Sequence, residues 1–130
     1  MNPPKFIPLI GRAFLASIFL YAGINNLLNF ASTVERVSGI LPFAALGVAG
    51  NILCCLLGSI SLILGFKVRW GAILLILFLI PTNIIFHPFW SNPGETIAFL
   101  KNLSLIGALL YVFYYGAGPV SLDYTNHRDY

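Results

Sequence analysis

The chain has 130 residues, of which 58% are hydrophobic and only 8% are charged, and its mean hydropathy is +0.89. Soluble domains carry about 25% charged residues, so this composition excludes an ordinary soluble domain and indicates a membrane protein. The net charge of +3 arises from seven basic residues that are scattered along the chain. A nucleic-acid-binding protein would cluster them, and we therefore expect no nucleic-acid partner.

Four apolar runs are long enough to cross a bilayer, which takes about 20 residues. They cover about residues 7–28, 41–66, 70–87 and 97–115. The first run has no clear small-residue cleavage site, so we interpret it as a retained helix rather than a signal peptide. Arg12 lies near its start, where a long side chain can extend to the membrane surface. The sequence predicts one all-α domain over residues 1–130, a polytopic membrane protein with a four-transmembrane-helix bundle.

The connections between the runs differ in length and charge. Residues 29–39 are predicted to form a polar linker, residues 67–69 a tight connection and residues 91–95 a turn-rich loop. Lys and Arg are enriched in cytoplasmic loops. Five basic residues fall on the side of the termini and two on the other side: Lys5, Arg12, Lys67, Arg69 and Arg128 against Arg36 and Lys101. This bias predicts both termini on the cytoplasmic side and residues 87–95 on the extracytoplasmic side.

Small residues recur along the second run at spacings of three and four: Gly47, Gly50, Cys54, Gly58, Ser61 and Gly65. Such a stripe allows close approach of another helix in a membrane, so it predicts a packing face. Cys54 and Cys55 are adjacent and point about 100° apart on a helix. They form no C-x-x-C motif, and we interpret them as buried, unreactive thiols.

Polar side chains fall within the apolar runs at similar predicted depth. Asn26 lies near the end of the first helix, Asn83 and His87 share one face of the third, and Lys101 and Asn102 open the fourth. Polar groups at membrane depth must find partners or line a wet cavity. These five residues are therefore a candidate polar pocket for a small molecule. The alternative interpretation is that the amides only hold helices together.

His87 is the most chemically versatile residue of this set. Pro81 is expected to kink the third helix, and Pro88 disfavours helical geometry at His87, which is predicted to end the helix. Its imidazole could carry a proton or donate a hydrogen bond to a quinone-like carbonyl. Alternatively, His87 belongs to an interfacial aromatic belt with Phe86, Phe89 and Trp90. The apolar runs hold no second histidine or acid for a metal site.

The order of several motifs resembles the DoxX family: Gly11-Arg12, Leu64-Gly65-Phe66, Arg69-Trp70, Phe86-His87-Pro88-Phe89-Trp90, Phe99-Leu100-Lys101-Asn102-Leu103 and Ser121-Leu122-Asp123. The resemblance implies a small four-helix membrane protein. It also implies an association with quinone-linked sulfur oxidation, terminal oxidase complexes or oxidative-stress assemblies.

The chain departs from the family pattern at two positions. Family members often carry a lysine where this chain has Asn26 and a glutamate where it has Cys55. If those charges pair in relatives, their joint replacement is physically reasonable, because a lone buried charge is costly. The replacement weakens the case for proton or electron transfer through that pair, so the pocket is expected to bind rather than react.

Together these features predict an accessory subunit of a respiratory or other redox complex in a bacterial-type inner membrane. The pocket would take a quinone or a lipid at the extracytoplasmic side, and no cofactor is required. The expected partners are the bilayer and other membrane subunits or further copies of the chain. The alternative is a non-catalytic scaffold or assembly protein. A stand-alone quinol-reactive enzyme is disfavoured, because the sequence has no haem-ligand pair, flavin motif or C-x-x-C.

Overall fold

The computed structural model describes residues 3–123 and contains five α-helices in that range. They are α1 (Ile7–Leu28), α2 (Phe30–Ser38), α3 (Ala44–Leu64), α4 (Val68–Phe86) and α5 (Thr96–Tyr115), with a single 3-10 turn at Pro93–Glu95 before α5. No strand occurs within these residues, so the all-α prediction with four long helices is confirmed. Arg128, which entered the orientation argument, lies outside the described residues, as does the remainder of the C-terminal tail.

Helix α3 is the centre of the bundle. It packs against α1 on one side and α4 on another, while α5 packs mainly on α4. The largest fully buried side chains are apolar and come from three helices: Leu62 of α3, Leu75 of α4 and Leu109 of α5. Helix α5 buries least of the four long helices, so it has the largest free face.

The stripe of small residues on α3 is the packing face that the sequence predicts. A Cβ added at Gly58 would lie 2.5 Å from Leu75 Cγ and 3.1 Å from the carbonyl oxygen of Gly71 on α4. Gly50 lies under the ring of Phe78, whose Cζ is 2.9 Å from the position of an added Cβ. Because any side chain at these positions would push α4 away, the glycines set the distance between α3 and α4.

The segment predicted as a polar linker is helical instead. Residues 30–38 form α2, which packs on α3. Thr33 is its buried residue, and Val34 and Val37 are half-buried on the same side, while Glu35 and Arg36 are exposed. Apolar or small residues at positions i, i+3, i+4 and i+7 are typical of an amphipathic helix. The prediction of a linker was wrong because it considered the charged and hydroxyl residues of this segment but not the helical spacing of its apolar and small residues.

Arg12 does not extend to the membrane surface as predicted. Its side chain points inward and is only 4% exposed. Nη1 donates to the carbonyl of Leu62 at the end of α3 (2.8 Å), and Nη2 donates to the carbonyl of Val120 (2.7 Å). Helix ends leave carbonyls without internal partners, and the guanidinium supplies donors in a fixed fork. Arg12 thus joins α1, α3 and the segment after α5.

Asp123 completes this arrangement from the same segment. Its carboxylate is 1% exposed and accepts the backbone N–H groups of Lys67 (2.6 Å) and Val68 (3.0 Å) at the start of α4. A carboxylate suits a helix N-terminus because it satisfies orphan N–H groups and opposes the helix dipole. We call Arg12, Lys67, Val68, Val120 and Asp123 the C-terminal clamp.

Gly65 makes the clamp possible. It ends α3 in a left-handed conformation (φ 70°) that glycine adopts without strain. Its missing side chain leaves room for Ser121 and for Arg12 Nη1, which would lie 2.5 Å from an added Cβ. Any other residue at position 65 would have a strained backbone, and its side chain would collide with Ser121 and Arg12.

Candidate functional site

A large cavity lies at the end of the bundle opposite the C-terminal clamp. It has a volume of about 680 Å³ and lies between the end of α1, α2, the start of α3 and the end of α4. Small-molecule sites typically enclose about 300–1,000 Å³. Its polar lining comes from Asn26, Thr33, Arg36, Asn51, Thr82, His87 and Glu95. We call this space the large cavity.

His87 and Glu95 form an ion-pair contact on the wall of the large cavity. His87 Nδ1 lies 2.7 Å from Glu95 Oε2, and each side chain is about one-third exposed (29% and 32%). Helix α4 ends at His87 as predicted from Pro88. The chain then turns back through the 3-10 turn at Pro93–Glu95, where Asn92 Oδ1 accepts the N–H of Gly94. This turn brings Glu95 to the imidazole.

Asn26 lies on the same cavity and takes part in a neutral polar cluster. Its Nδ2 donates to Asn51 Oδ1 (3.2 Å), and the Cys55 thiol approaches the same oxygen at 3.8 Å. Positions 26 and 55 are those at which the family resemblance implies a lysine and a glutamate. Both reach the amide of Asn51 here, and the Asn26–Asn51 hydrogen bond joins α1 and α3 through uncharged groups.

Asn83 and Asn102 lie elsewhere and have partners of their own. Asn102 Nδ2 donates to Asn83 Oδ1 (3.3 Å), and Asn83 Nδ2 donates to the carbonyl of Phe99 (3.2 Å). Both side chains are buried between α4 and α5. They join these two helices, and neither lines the large cavity, although Asn102 lines the smaller cavity described below.

Lys101 also lies apart from His87. It is exposed on α5 and lines neither the large cavity nor the smaller one described below. The five residues of the predicted pocket therefore separate into three groups: His87 and Asn26 on the large cavity, the Asn83–Asn102 pair between α4 and α5, and Lys101 on the surface.

The aromatic residues near His87 also divide. Phe89 and Trp90 pack on Phe99 of α5, with ring centroids 4.8 Å and 6.0 Å from that of Phe99. Phe86 instead lines the large cavity. The predicted belt thus contributes one of its aromatics to the cavity wall.

Two charged residues of the large cavity were absent from the predicted site. Glu95 was assigned only to a loop, although an acid eight residues after a helix-ending histidine can return to it through a short turn. Arg36 was assigned to the linker, and the amphipathic period of α2 would have placed it on a helix beside the bundle. Arg36 has no hydrogen-bond partner among residues 3–123.

A second, smaller cavity lies deeper in the bundle. Its volume is about 180 Å³, and all four long helices line it, with Phe19, Cys55, Leu75, Leu79 and Leu105 among its apolar walls. Within the described part of the chain no three His, Cys, Asp or Glu side chains gather as metal ligands. The polar and charged residues that line the large cavity can instead form hydrogen bonds and ion pairs with a polar organic headgroup.

The four long helices are apolar enough to cross a membrane. They expose large apolar side chains around the bundle, including Phe14, Leu46, Leu57 and Ile97. Lipid is the solvent that such a surface requires. The fold therefore defines a polytopic α-helical integral membrane protein, with a cavity at one end whose lining includes charged and polar side chains.

The DoxX family model matches residues 7–88, from α1 to the end of α4. The chain belongs to the DoxX family, and the resemblance noted in the sequence is confirmed. The match includes His87 and Asn26 but ends before Glu95 and before the Lys101-Asn102 motif.

Two relatives from Escherichia coli cover most of the chain. The inner membrane protein YphA is 30% identical over 121 residues, which are 88% of this chain and 86% of the relative. The inner membrane protein YqjF is 26% identical over 120 residues, 88% of each chain. The surfeit locus protein 4 homolog of Schizosaccharomyces pombe is 30% identical over 129 residues, but this match covers only 38% of that longer protein. No solved structure matches the chain significantly.

Proposed function

We propose that this DoxX-family protein binds a quinone in the large cavity as an accessory subunit of a membrane redox complex. The main support for this proposal is the contact between His87 and Glu95 on the cavity wall. A volume of about 680 Å³ admits a substituted ring. The names of YphA and YqjF support a bacterial-type inner membrane.

The pair suits both redox forms of such a ligand. Glu95 faces Nδ1 and can stabilise a protonated imidazole, whose other nitrogen would donate to a carbonyl oxygen. In the neutral form with the proton on Nδ1, the other nitrogen can accept from a hydroxyl. Asn26 and Arg36 supply further donors from the opposite walls. When bound, a quinone would exchange electrons and protons with a partner subunit.

The accessory role rests on the family resemblance and on the free face of α5. That helix exposes Ile97, Leu100, Leu103, Leu110 and Tyr114 along its length. A partner subunit could pack there without rearranging the bundle, while the cavity end stays open to ligand.

The decisive experiment is purification in a mild detergent followed by solvent extraction and quantification of bound quinone. The wild-type protein should retain quinone and co-purify with redox subunits. His87→Phe and Glu95→Gln should each retain at most about one-tenth as much, because one good hydrogen bond is worth a factor of this order. Lys101→Gln is the matched control and should retain the wild-type amount.

Retention of quinone by His87→Phe, or recovery of a phospholipid in place of quinone, would overturn the proposal. A measured unfolding temperature for each variant separates lost binding from lost folding. Absence of co-purifying subunits together with unchanged membrane redox activity after gene deletion would contradict the accessory role alone.

In this proposal the large cavity faces the extracytoplasmic side and both termini face the cytoplasm. Single cysteines at Ser38 and Ser91, in a background without Cys54 and Cys55, test this orientation. An impermeant thiol reagent added to intact cells should label both. Protection of both would reverse the orientation without affecting the cavity itself.

A second candidate function is that of a non-catalytic scaffold. It is favoured by the Asn83–Asn102 contact, where two residues of the predicted pocket form a hydrogen bond between α4 and α5. A scaffold would lose partner subunits when the exposed face of α5 is altered. The substitution His87→Phe would leave its binding of partner subunits unchanged.

A further inference from the structure

The large and small cavities are neighbours that share part of their walls. Asn51, Phe78 and Thr82 line both of them. Two of these side chains are small and polar, and the third is a ring that rests on Gly50 of α3. The separation between the two cavities is therefore only one side chain thick.

The two cavities differ in chemistry along this line. The large cavity carries the charged groups Arg36, His87 and Glu95, whereas the small cavity has no charged residue in its lining. The small cavity is lined by the neutral polar residues Asn51 and Thr82, on the shared wall, and by Asn102 of α5. The polarity thus falls from the end of the bundle toward its interior, as the two parts of an amphiphile would require.

The small cavity also has a route to the bilayer. It is lined by Ile18 and Ala22 of α1 and by Leu105 of α5. Few residues of α1 and α5 lie close to one another, unlike the pairs α1–α3, α3–α4 and α4–α5. A hydrocarbon chain that entered the small cavity could therefore leave between α1 and α5, where lipid continues the apolar environment.

We propose that the small cavity is a tail-binding subsite, which receives the first segment of the hydrocarbon tail of a ligand whose headgroup lies in the large cavity. This inference rests on the proposed function and adds that the ligand is a tailed quinone rather than a free ring. The tail passes the ring of Phe78 and continues toward lipid between α1 and α5. Burial of methylenes in the small cavity adds affinity that a tailless ring lacks.

Cys55 is a natural reporter of the small cavity. It lines that cavity and not the large one, whereas the adjacent Cys54 lines neither. In a Cys54→Ser variant reconstituted in nanodiscs, the rate of labelling by N-ethylmaleimide reports access to Cys55 alone. Decylubiquinone and duroquinone are suitable probes, because both have fully substituted rings that do not add thiols and only the first has a tail.

Decylubiquinone should slow the labelling of Cys55 by about tenfold or more, and duroquinone should leave the rate nearly unchanged. In the matched variant Cys55→Ser, labelling of Cys54 should respond to neither probe. A labelling rate of Cys55 that decylubiquinone leaves unchanged would overturn the inference.

A second variant tests the subsite without a thiol. Ala22 lines the small cavity only, so Ala22→Leu should fill it and weaken decylubiquinone binding about tenfold, while duroquinone binding is unchanged. The control is Gly107→Ala on α5, where an added Cβ meets nothing within 4 Å.

The outcomes separate the two proposals. If decylubiquinone binds in a His87-dependent manner but neither protects Cys55 nor responds to Ala22→Leu, the tail subsite is wrong and the proposed function stands. If neither quinone binds, both are wrong.

Discussion

The two ends of the bundle use polar residues in opposite ways. At the C-terminal clamp, Arg12 and Asp123 are almost completely buried and bond to backbone groups of α3, α4 and the last segment. At the other end, His87 and Glu95 bond to each other and stay about one-third exposed beside a large cavity. Buried polar groups that are bonded to the backbone stabilise a fold. Polar groups that face a cavity remain available to a ligand.

This contrast separates polar residues that stabilise the fold from polar residues that face a cavity. Arg12 lies inside an apolar run and, by the rule that intramembrane charges are functional, would be a site candidate. The structure shows it joining helix ends instead. His87 lies at a helix end, where an interfacial role is ordinary, yet it borders the large cavity.

The largest effect is expected at the clamp. Arg12→Met keeps the apolar stem but removes the donors to the buried carbonyl of Leu62 and to the part-buried carbonyl of Val120. The free energy of unfolding in detergent should fall by about 3 kcal/mol. Lys5→Met, at an exposed position, is the control. An unchanged unfolding free energy in Arg12→Met would show that the clamp contributes little to stability.

A smaller loss is expected from the cap of α4. Asp123→Ala removes both acceptors for the N–H groups of Lys67 and Val68 and should cost about 1–2 kcal/mol. Asp123→Asn keeps one acceptor oxygen and should lose less. Equal losses in the two variants would mean that charge, and not the cap, is what the carboxylate provides. Thermal unfolding followed by circular dichroism measures both.

The hydrogen bond between Asn83 and Asn102, which joins α4 and α5, should contribute less to stability than the cap of α4. Asn102→Leu removes one interhelical hydrogen bond and should cost about 0.6 kcal/mol, with about 1.7 kcal/mol as an upper value. Asn102 lines the small cavity but not the large one, so binding of the tailless duroquinone should persist. If Asn102→Leu abolished duroquinone binding with little loss of stability, the amide would contact the ring in the large cavity. Denaturant titration and solvent extraction on the same preparation provide the two readings.

The smallest effect on stability is expected at the mouth of the large cavity. Arg36→Gln alters an exposed side chain without a hydrogen-bond partner in residues 3–123 and should change stability by less than about 0.5 kcal/mol. It should nevertheless lower quinone retention, because Arg36 lines the cavity. Glu35→Gln, exposed on the same helix and away from the cavity, is the control and should change neither quantity. If Arg36→Gln lost as much stability as Asp123→Ala, polar residues would contribute to stability at both ends of the bundle, and the contrast between the two ends would be wrong.

The sequence alone determined the class and the long helices. Runs of about 20 apolar residues bounded by charges can only be spanning helices in such a composition, and the glycine spacing of α3 located its packing face. Its motifs also identified the family. Among the residues that line the large cavity, local signals singled out His87 and Asn26, because a histidine before proline and an amide at a helix end are visible in a few residues.

Only the tertiary structure decided which polar residues meet. Arg12 reaches Val120 across 108 positions of the chain and Leu62 across 50, and no local pattern encodes such contacts. The tertiary structure also joins Asn83 to Asn102 between two helices and places Glu95 beside His87. It packs residues 30–38 against α3. The physical reason is that apolar helices can rotate about their axes at little cost in lipid, so close packing of small residues and pairing of buried polar groups fix the orientation of each helix. That orientation divides the polar residues between a clamp that stabilises one end and a cavity that is open at the other.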